Sequence, residues 1–155
     1  RNVCGLKTAG HTEFDEHADT PVIYLLPEQR KLTEMGGTMR LGGYEVKIKK
    51  GTQAYKYYQT NKATERFRHR YEFNNEYKTA IEDHGMIFSG MTPDAKIMQI
   101  LEISDHPYFI GTQFHPELTS RPYLPQPLFQ AFVMAAKADT GKSKNDIPQT
   151  PTQVG

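Results

Sequence analysis

The stretch MIFSGMTPDAKIMQILEISDHPYFIGTQFHPE, Met86–Glu117, holds three apolar runs separated by two short polar turns. MIFSG (86–90), KIMQILEI (96–103) and YFIGTQFH (108–115) have the length and the β-branched and aromatic content of strands, while MTPDA and SDHP carry turn residues. Strands joined this closely pair antiparallel, because a parallel return needs a crossover of a dozen or more residues. YFIGTQF is apolar on both faces, so its expected place is a sheet covered on both sides. The run ends where Pro116 can no longer donate to a ladder.

Working outward, PVIYLL (21–26) reads as a buried strand. YEVKIKK (44–50) alternates Tyr44, Val46 and Ile48 against Glu45, Lys47 and Lys49, the pattern of a half-buried strand. TERFRHRYEF (64–73) alternates too, with Phe67, His69, Tyr71 and Phe73 on one face and Arg66, Arg68, Arg70 and Glu72 on the other. Residues 1–20 are polar and turn-rich, and 27–43 read as a mobile loop leading into a turn. Helical turns are expected at Gln53–Tyr58 and over 74–85, where an Asn can cap the start and Gly85 can close the end. PLFQAFVMAAKA (127–138) has the period of an amphipathic helix, with Leu128, Phe129, Phe132, Val133 and Ala136 as its apolar stripe. Residues 139–155 carry too few apolar side chains to order themselves and read as a disordered tail behind one domain, 1–138. Many strands, few helices and short connections make the chain mixed α and β.

The 155 residues are 37% hydrophobic, enough for one globular domain. Nineteen basic and eighteen acidic residues leave a net charge of +1, which gives no pull toward nucleic acid or an anionic membrane. No apolar run approaches the ~20 residues of a membrane helix. The first residue is Arg, so a processed or partial chain is expected. Cys4 is the single cysteine, which excludes an internal disulfide and suits a reducing, cytoplasmic setting. One Cys among six scattered His has no metal-ligand spacing, so no metal is expected.

Four features could carry chemistry. His115 and Glu117 flank Pro116 just past a strand end. A carboxylate there can fix a histidine tautomer and stabilise the imidazolium that forms when the ring takes a proton. From spacing alone, a plain polar strand end is the favoured reading, since H-x-E is short and occurs by chance. Cys4 is the one thiol, but a nucleophile elbow wants small residues two before and two after, and Asn2 and Leu6 stand there. The arginines of ERFRHR could fork onto a carboxylate or form a solvated edge face. GGTMRLGG (36–43) could cradle an anion or be a flexible loop, and it lacks the phosphate-loop pattern.

Taken together and in order, HTEF (11–14), GGTMRLG (36–42), ERFRHRYEFN (65–74), HPYF (106–109) and QFHPELTSRP (113–122) resemble the CTP synthase family. The resemblance covers 1 to about 138 and falls in the C-terminal half of the family's class I glutamine amidotransferase domain. It implies an α/β, flavodoxin-like fold, of which this is the C-terminal portion: a mixed sheet flanked by helices, with antiparallel strands. It implies a glutaminase with a Cys-His-Glu triad that hydrolyses glutamine. The ammonia serves an N-terminal synthase domain, which uses ATP and Mg²⁺ to aminate UTP to CTP; GTP is the effector and the assembly a homotetramer. By residue, His115 matches the base and Glu117 its orienting carboxylate. Glu13 and Arg70 match the contacts to the glutamine substrate, and Arg40 is the cationic group of the GTP-associated lid.

HTEF and RFRHR depart from the family's usual STEF and RHRHR, but neither change touches a residue carried over. The family's nucleophile stands in G-x-C-x-G, about a dozen residues before the position of Arg1 by elbow geometry; Cys4 is not in that place. The rival reading is a non-catalytic remnant that binds a nucleotide or partner. The 155 residues alone are therefore predicted to hydrolyse no glutamine in an ammonia-release assay. Turnover that Cys4→Ser abolished would reverse this and make Cys4 the nucleophile.

Overall fold

The structure, a computed structural model, describes residues 1–25 and 40–140. Its elements run β1 (Ala9–His11), β2 (Thr20–Leu25), β3 (Arg40–Ile48), α1 (Gln53–Tyr58), β4 (Lys62–His69), β5 (Tyr71–Phe73), α2 (Lys78–Glu82), β6 (Met86–Met91), β7 (Met98–Ile103), β8 (Ile110–Thr112) and α3 (Pro127–Thr140). Single 3-10 turns stand at Asn75–Tyr77 and Pro116–Leu118. The expected helix over 74–85 is thus a 3-10 turn and α2, entered through the Asn74 side chain and left at Gly85, φ +89°. Most of the loop expected at 27–43, and the tail from 141, lie outside the described residues.

The strands build two sheets. The larger, in the order β4-β3-β6-β7-β8, is antiparallel throughout, and the short turns of 86–117 make β6, β7 and β8 consecutive neighbours as expected. The smaller is mixed: β1 runs parallel to β2, and β5 pairs antiparallel on the other side of β2. One core cluster gathers Val46, Ile48, Ala54, Phe67, Ile100, Phe114 and Leu128 between the larger sheet, α1 and α3. Phe67 meets Phe114 edge-to-face at 5.7 Å. A second cluster, Phe73, Phe88 and Met98, joins the two sheets.

Several expectations are corrected. β3 begins at Arg40, inside the stretch read as loop, because residues 40–47 pair one by one with 62–69. That ladder outweighs the weak strand propensity of Gly42, whose φ of +111° only glycine takes without strain. Ala9–His11 form a strand in the segment read as turns; three residues are too few to show a period. The run 64–73 is two strands, broken at Arg70, where the chain leaves one sheet for the other. The break resets the alternation, so Glu72, placed with the arginines on a solvated face, is fully buried at 0% exposure. YFIGTQF is not covered on both sides: β8 is three half-buried residues at a sheet edge, and only Phe114 beyond it is buried. On α3, Leu128 and Ala131 face the core, while Phe129, Phe132 and Val133 of the expected stripe are exposed.

Glu102, in the middle of β7, is also fully buried. Its oxygens accept from the backbone N–H groups of Gln53 (2.7 Å) and Ala54 (3.0 Å), and Thr52 Oγ1 accepts from Tyr55 N (3.1 Å). The first turn of α1 therefore has its orphan donors met from outside, and the anion sits at the positive end of the helix. Replacing Glu102 by Ala is predicted to destabilise the fold by on the order of 3 kcal/mol, because two buried N–H groups lose a charged acceptor. A urea midpoint that drops with no change in slope is the expected result; an unchanged midpoint would assign the cap to Thr52 alone.

Candidate active site

Strand β2 carries neighbours on both sides at the same point. Ile23 pairs with His11 of β1 and with Phe73 of β5. The turn after β1 and the break before β5 are thereby brought to one place, though far apart in sequence. His11 seats its ring against Tyr71 at 4.9 Å, and its Nδ1 accepts from the Glu13 backbone N–H at 3.0 Å. Its Nε2 lies 3.8 Å from the Glu13 carboxylate, which is half exposed. Glu13 and Arg70 both line an open cleft of about 500 Å³, together with Arg68, His69, Tyr71 and Gln113. A carboxylate and a guanidinium facing one cleft complement a zwitterion of amino-acid size.

His115 and Glu117 do not line this cleft; they follow Gln113, which does, by two and four residues. The ladder continues past β8 through Gln113 N–H to Gln99 O (3.0 Å), Phe114 is anchored in the core, and His115 N–H donates to Arg66 O at 2.9 Å. Pro116 then starts the 3-10 turn that points Glu117 back at the ring. His115 Nδ1 and Glu117 Oε1 are 2.8 Å apart. An ionised carboxylate only accepts, so Nδ1 carries the proton and Nε2 keeps its lone pair for an incoming one. Glu117's own backbone N–H, and then the bond from His115, hold its carboxyl below the usual carboxylate range.

Arg40, singled out in the glycine-rich segment, does not line this cleft. Its guanidinium lies 4.0 Å from the buried Glu72 carboxylate and stacks over the rings of Tyr44 (4.5 Å) and Phe67 (5.0 Å). The rest of that segment, through Met39, lies outside the described residues. Cys4 is a free, half-buried thiol. Among the described residues no three His, Cys, Asp or Glu side chains converge as a metal site, and no helix is long and apolar enough to cross a membrane. Reading by motif missed the cleft residues His11, His69 and Gln113. For Gln113 the signal was present, an amide side chain late in an apolar run.

A hydrogen-bonded histidine–carboxylate pair on a strand-end turn and a charged cleft stand together in a mixed α/β frame. The chain belongs to the glutamine amidotransferase class-I family, whose pattern matches residues 4–135. Within that class its similarity is to CTP synthases. It is 55% identical to the CTP synthase of Archaeoglobus fulgidus and 53% to that of Caldanaerobacter subterraneus subsp. tengcongensis, over 88% and 87% of this chain. The Bacillus subtilis CTP synthase is 50% identical over 88% of it. The chain spans only about a quarter of the length of these relatives, 25% or 26%. Among solved structures, the glutaminase domain of Trypanosoma brucei CTPS with bound acivicin superposes with a TM-score of 0.81 at 31% identity, covering 89% of this chain and 54% of that one.

The depressed Glu117 carboxyl yields a test. A group whose pKa is lowered on folding stabilises its pairing above the unfolded value and loses it as pH falls through the folded one. The His115–Glu117 pair should therefore persist through mildly acidic pH. In a carbon-detected NMR titration, Glu117 should titrate below the other exposed glutamates. His115→Ala should move it part of the way back, the backbone bond remaining. An identical midpoint in that variant would show that the ring contributes nothing.

Proposed function

We propose that this chain is the glutaminase part of a CTP synthase, supplying ammonia for the ATP-dependent amination of UTP to CTP. The His115–Glu117 pair carries the reading. Glu117 holds the ring through Nδ1, and Nε2 takes the proton of a cysteine thiol that attacks the glutamine side-chain amide; the same imidazolium then returns that proton to the departing ammonia. Glu13 receives the substrate ammonium and Arg70 forks onto its α-carboxylate, so that the side-chain amide is the end presented to the base.

ATP, Mg²⁺ and UTP belong to the synthase domain, and GTP acts through the GGTMRLG segment, 36–42, with Arg40 as its cationic group. The active assembly is a homotetramer, and a thiol that must stay reduced suits the cytoplasm. The similarity to CTP synthases over most of this chain supports the same reading.

The test uses the complete enzyme and its two nitrogen sources. His115→Ala should cut glutamine-dependent CTP formation by roughly 10²-fold or more and leave ammonia-dependent formation intact. Glu117→Gln should fall in the same direction by less. Arg70→Ala should raise KM for glutamine more than it lowers kcat, since it removes binding shared by ground and transition states. Glutamine-dependent synthesis that survived His115→Ala would sink the proposal in favour of a non-catalytic remnant.

A further inference from the structure

We infer that Glu65 and Thr119 form a positioning pair for the His115–Glu117 base, an inference that rests on the function proposed above. Glu65 sits on the inward face of β4 between Ala63 and Phe67, 3% exposed. Three neutral donors meet its carboxylate: the Tyr58 hydroxyl (2.6 Å) and the Gln126 amide (2.9 Å) on Oε1, and the Thr119 hydroxyl (2.8 Å) on Oε2. No cation pairs with it among the described residues. A carboxylate buried against neutral donors is a costly occupant of an inward strand position that an aliphatic side chain could fill. Its polarity is better explained by what it holds.

Thr119 closes the 3-10 turn Pro116–Leu118: its N–H donates to Pro116 O at 3.2 Å. Its hydroxyl also lies 3.1 Å from that carbonyl, but one hydrogen serves two acceptors, and the nearer, charged one is Glu65. The other end of the turn is fixed by His115 N–H on Arg66 O. Neighbouring residues of β4, Glu65 and Arg66, thus clamp both ends of the segment 115–119. The side chains of His115 and Glu117 are 42% and 55% exposed, so packing does not hold them. Their shared orientation comes from the turn, and the turn takes its orientation from β4. With the Thr119 tie gone, the segment can pivot on the remaining Arg66 bond and carry Nε2 away from the thiol.

Thr119→Val keeps the shape of the side chain and removes the hydroxyl. In the complete enzyme, glutamine-dependent kcat should fall roughly tenfold to hundredfold, the cost of misplacing a reacting group. KM for glutamine and the ammonia-dependent rate should hold. Thr119→Ser returns the hydroxyl and should restore kcat. Tyr58→Phe removes a donor from the other carboxylate oxygen; it should lower the melting temperature without the loss of kcat, which a purely stabilising role for the network would not allow. If Thr119→Val does not fold, Glu65→Gln, of equal volume, should lower kcat in the same way.

A wild-type kcat in Thr119→Val, a loss that Thr119→Ser does not recover, or an equal loss in Tyr58→Phe would each overturn the inference. Should His115→Ala abolish glutamine use while Thr119→Val does not, this inference alone falls. Should His115→Ala leave it intact, the proposed function falls and takes this with it.

Discussion

The carboxylate of Glu65 is the point on which the arrangement turns. Removing an ionised group from water costs several kcal/mol even after the protein relaxes around it. The three hydrogen bonds it accepts offset that cost and draw their donors from three other parts of the chain. Tyr58 brings the end of α1, Gln126 brings the start of α3, and Thr119 brings the turn behind His115. Gln126 is shared further: its Oε1 accepts from Leu128 N at 2.7 Å and caps α3. Burial, and then Glu65 itself, push the Tyr58 hydroxyl far up, so it stays protonated and remains a donor. One strand position thereby fixes the two helices of the larger core and the turn that carries His115 and Glu117 relative to the sheet.

Two more buried acids follow the same logic with different partners. Glu102 is met by the backbone N–H groups of α1, a fixed array that needs no side chain of opposite charge. Glu72 takes His69 Nε2 at 2.7 Å and has Arg40 at 4.0 Å. Apolar contacts could close the same volumes, but they would not dictate which end of α1 meets β7, or how far β3 slides along β4. Directional bonds from a buried acid do dictate it. The specificity falls on β4, β5 and β7, the strands from which the cleft and the turn are hung.

What the sequence disclosed follows from how far each signal reaches. Alternation in 44–50 and three closely spaced apolar runs in 86–115 are local signals; the strand over 44–48 and the antiparallel run β6, β7, β8 followed from them, whereas the pairing of β3 with β6 did not. β1 is set by its partner β2, and three residues leave no period to read. Glu72 was placed on the wrong face because alternation was carried through Arg70, and no local pattern marks the change of sheet there. The stripe on α3 shows the converse. A period reveals that Phe129, Phe132 and Val133 share a face, not that anything covers it, and the structure turns Leu128 and Ala131 inward instead. The H-P-E element was visible as a pair of groups, whereas the cleft was not, since His11, His69 and Gln113 come from distant parts of the chain and meet only in the fold.

Arg70 lies where the two sheets exchange the chain, and that placement bears on how a loosely packed site keeps its geometry. On one side of it, β4 is bound along its length to β3, and through Glu65 and Arg66 it holds the turn that carries His115. On the other side, β5 is bound to β2, whose second neighbour β1 leads into Glu13. Arg70 itself, His115 through its bond to Arg66, and Glu13 by way of β1 and β2 are thus all tied to the same stretch of backbone, residues 65–73. A half-exposed histidine and an exposed glutamate cannot be kept in register by packing density. They are kept there because the errors of two sheets are not added: β4 and β5 follow each other directly in the chain, one in each sheet, and the candidate site is assembled around the break between them.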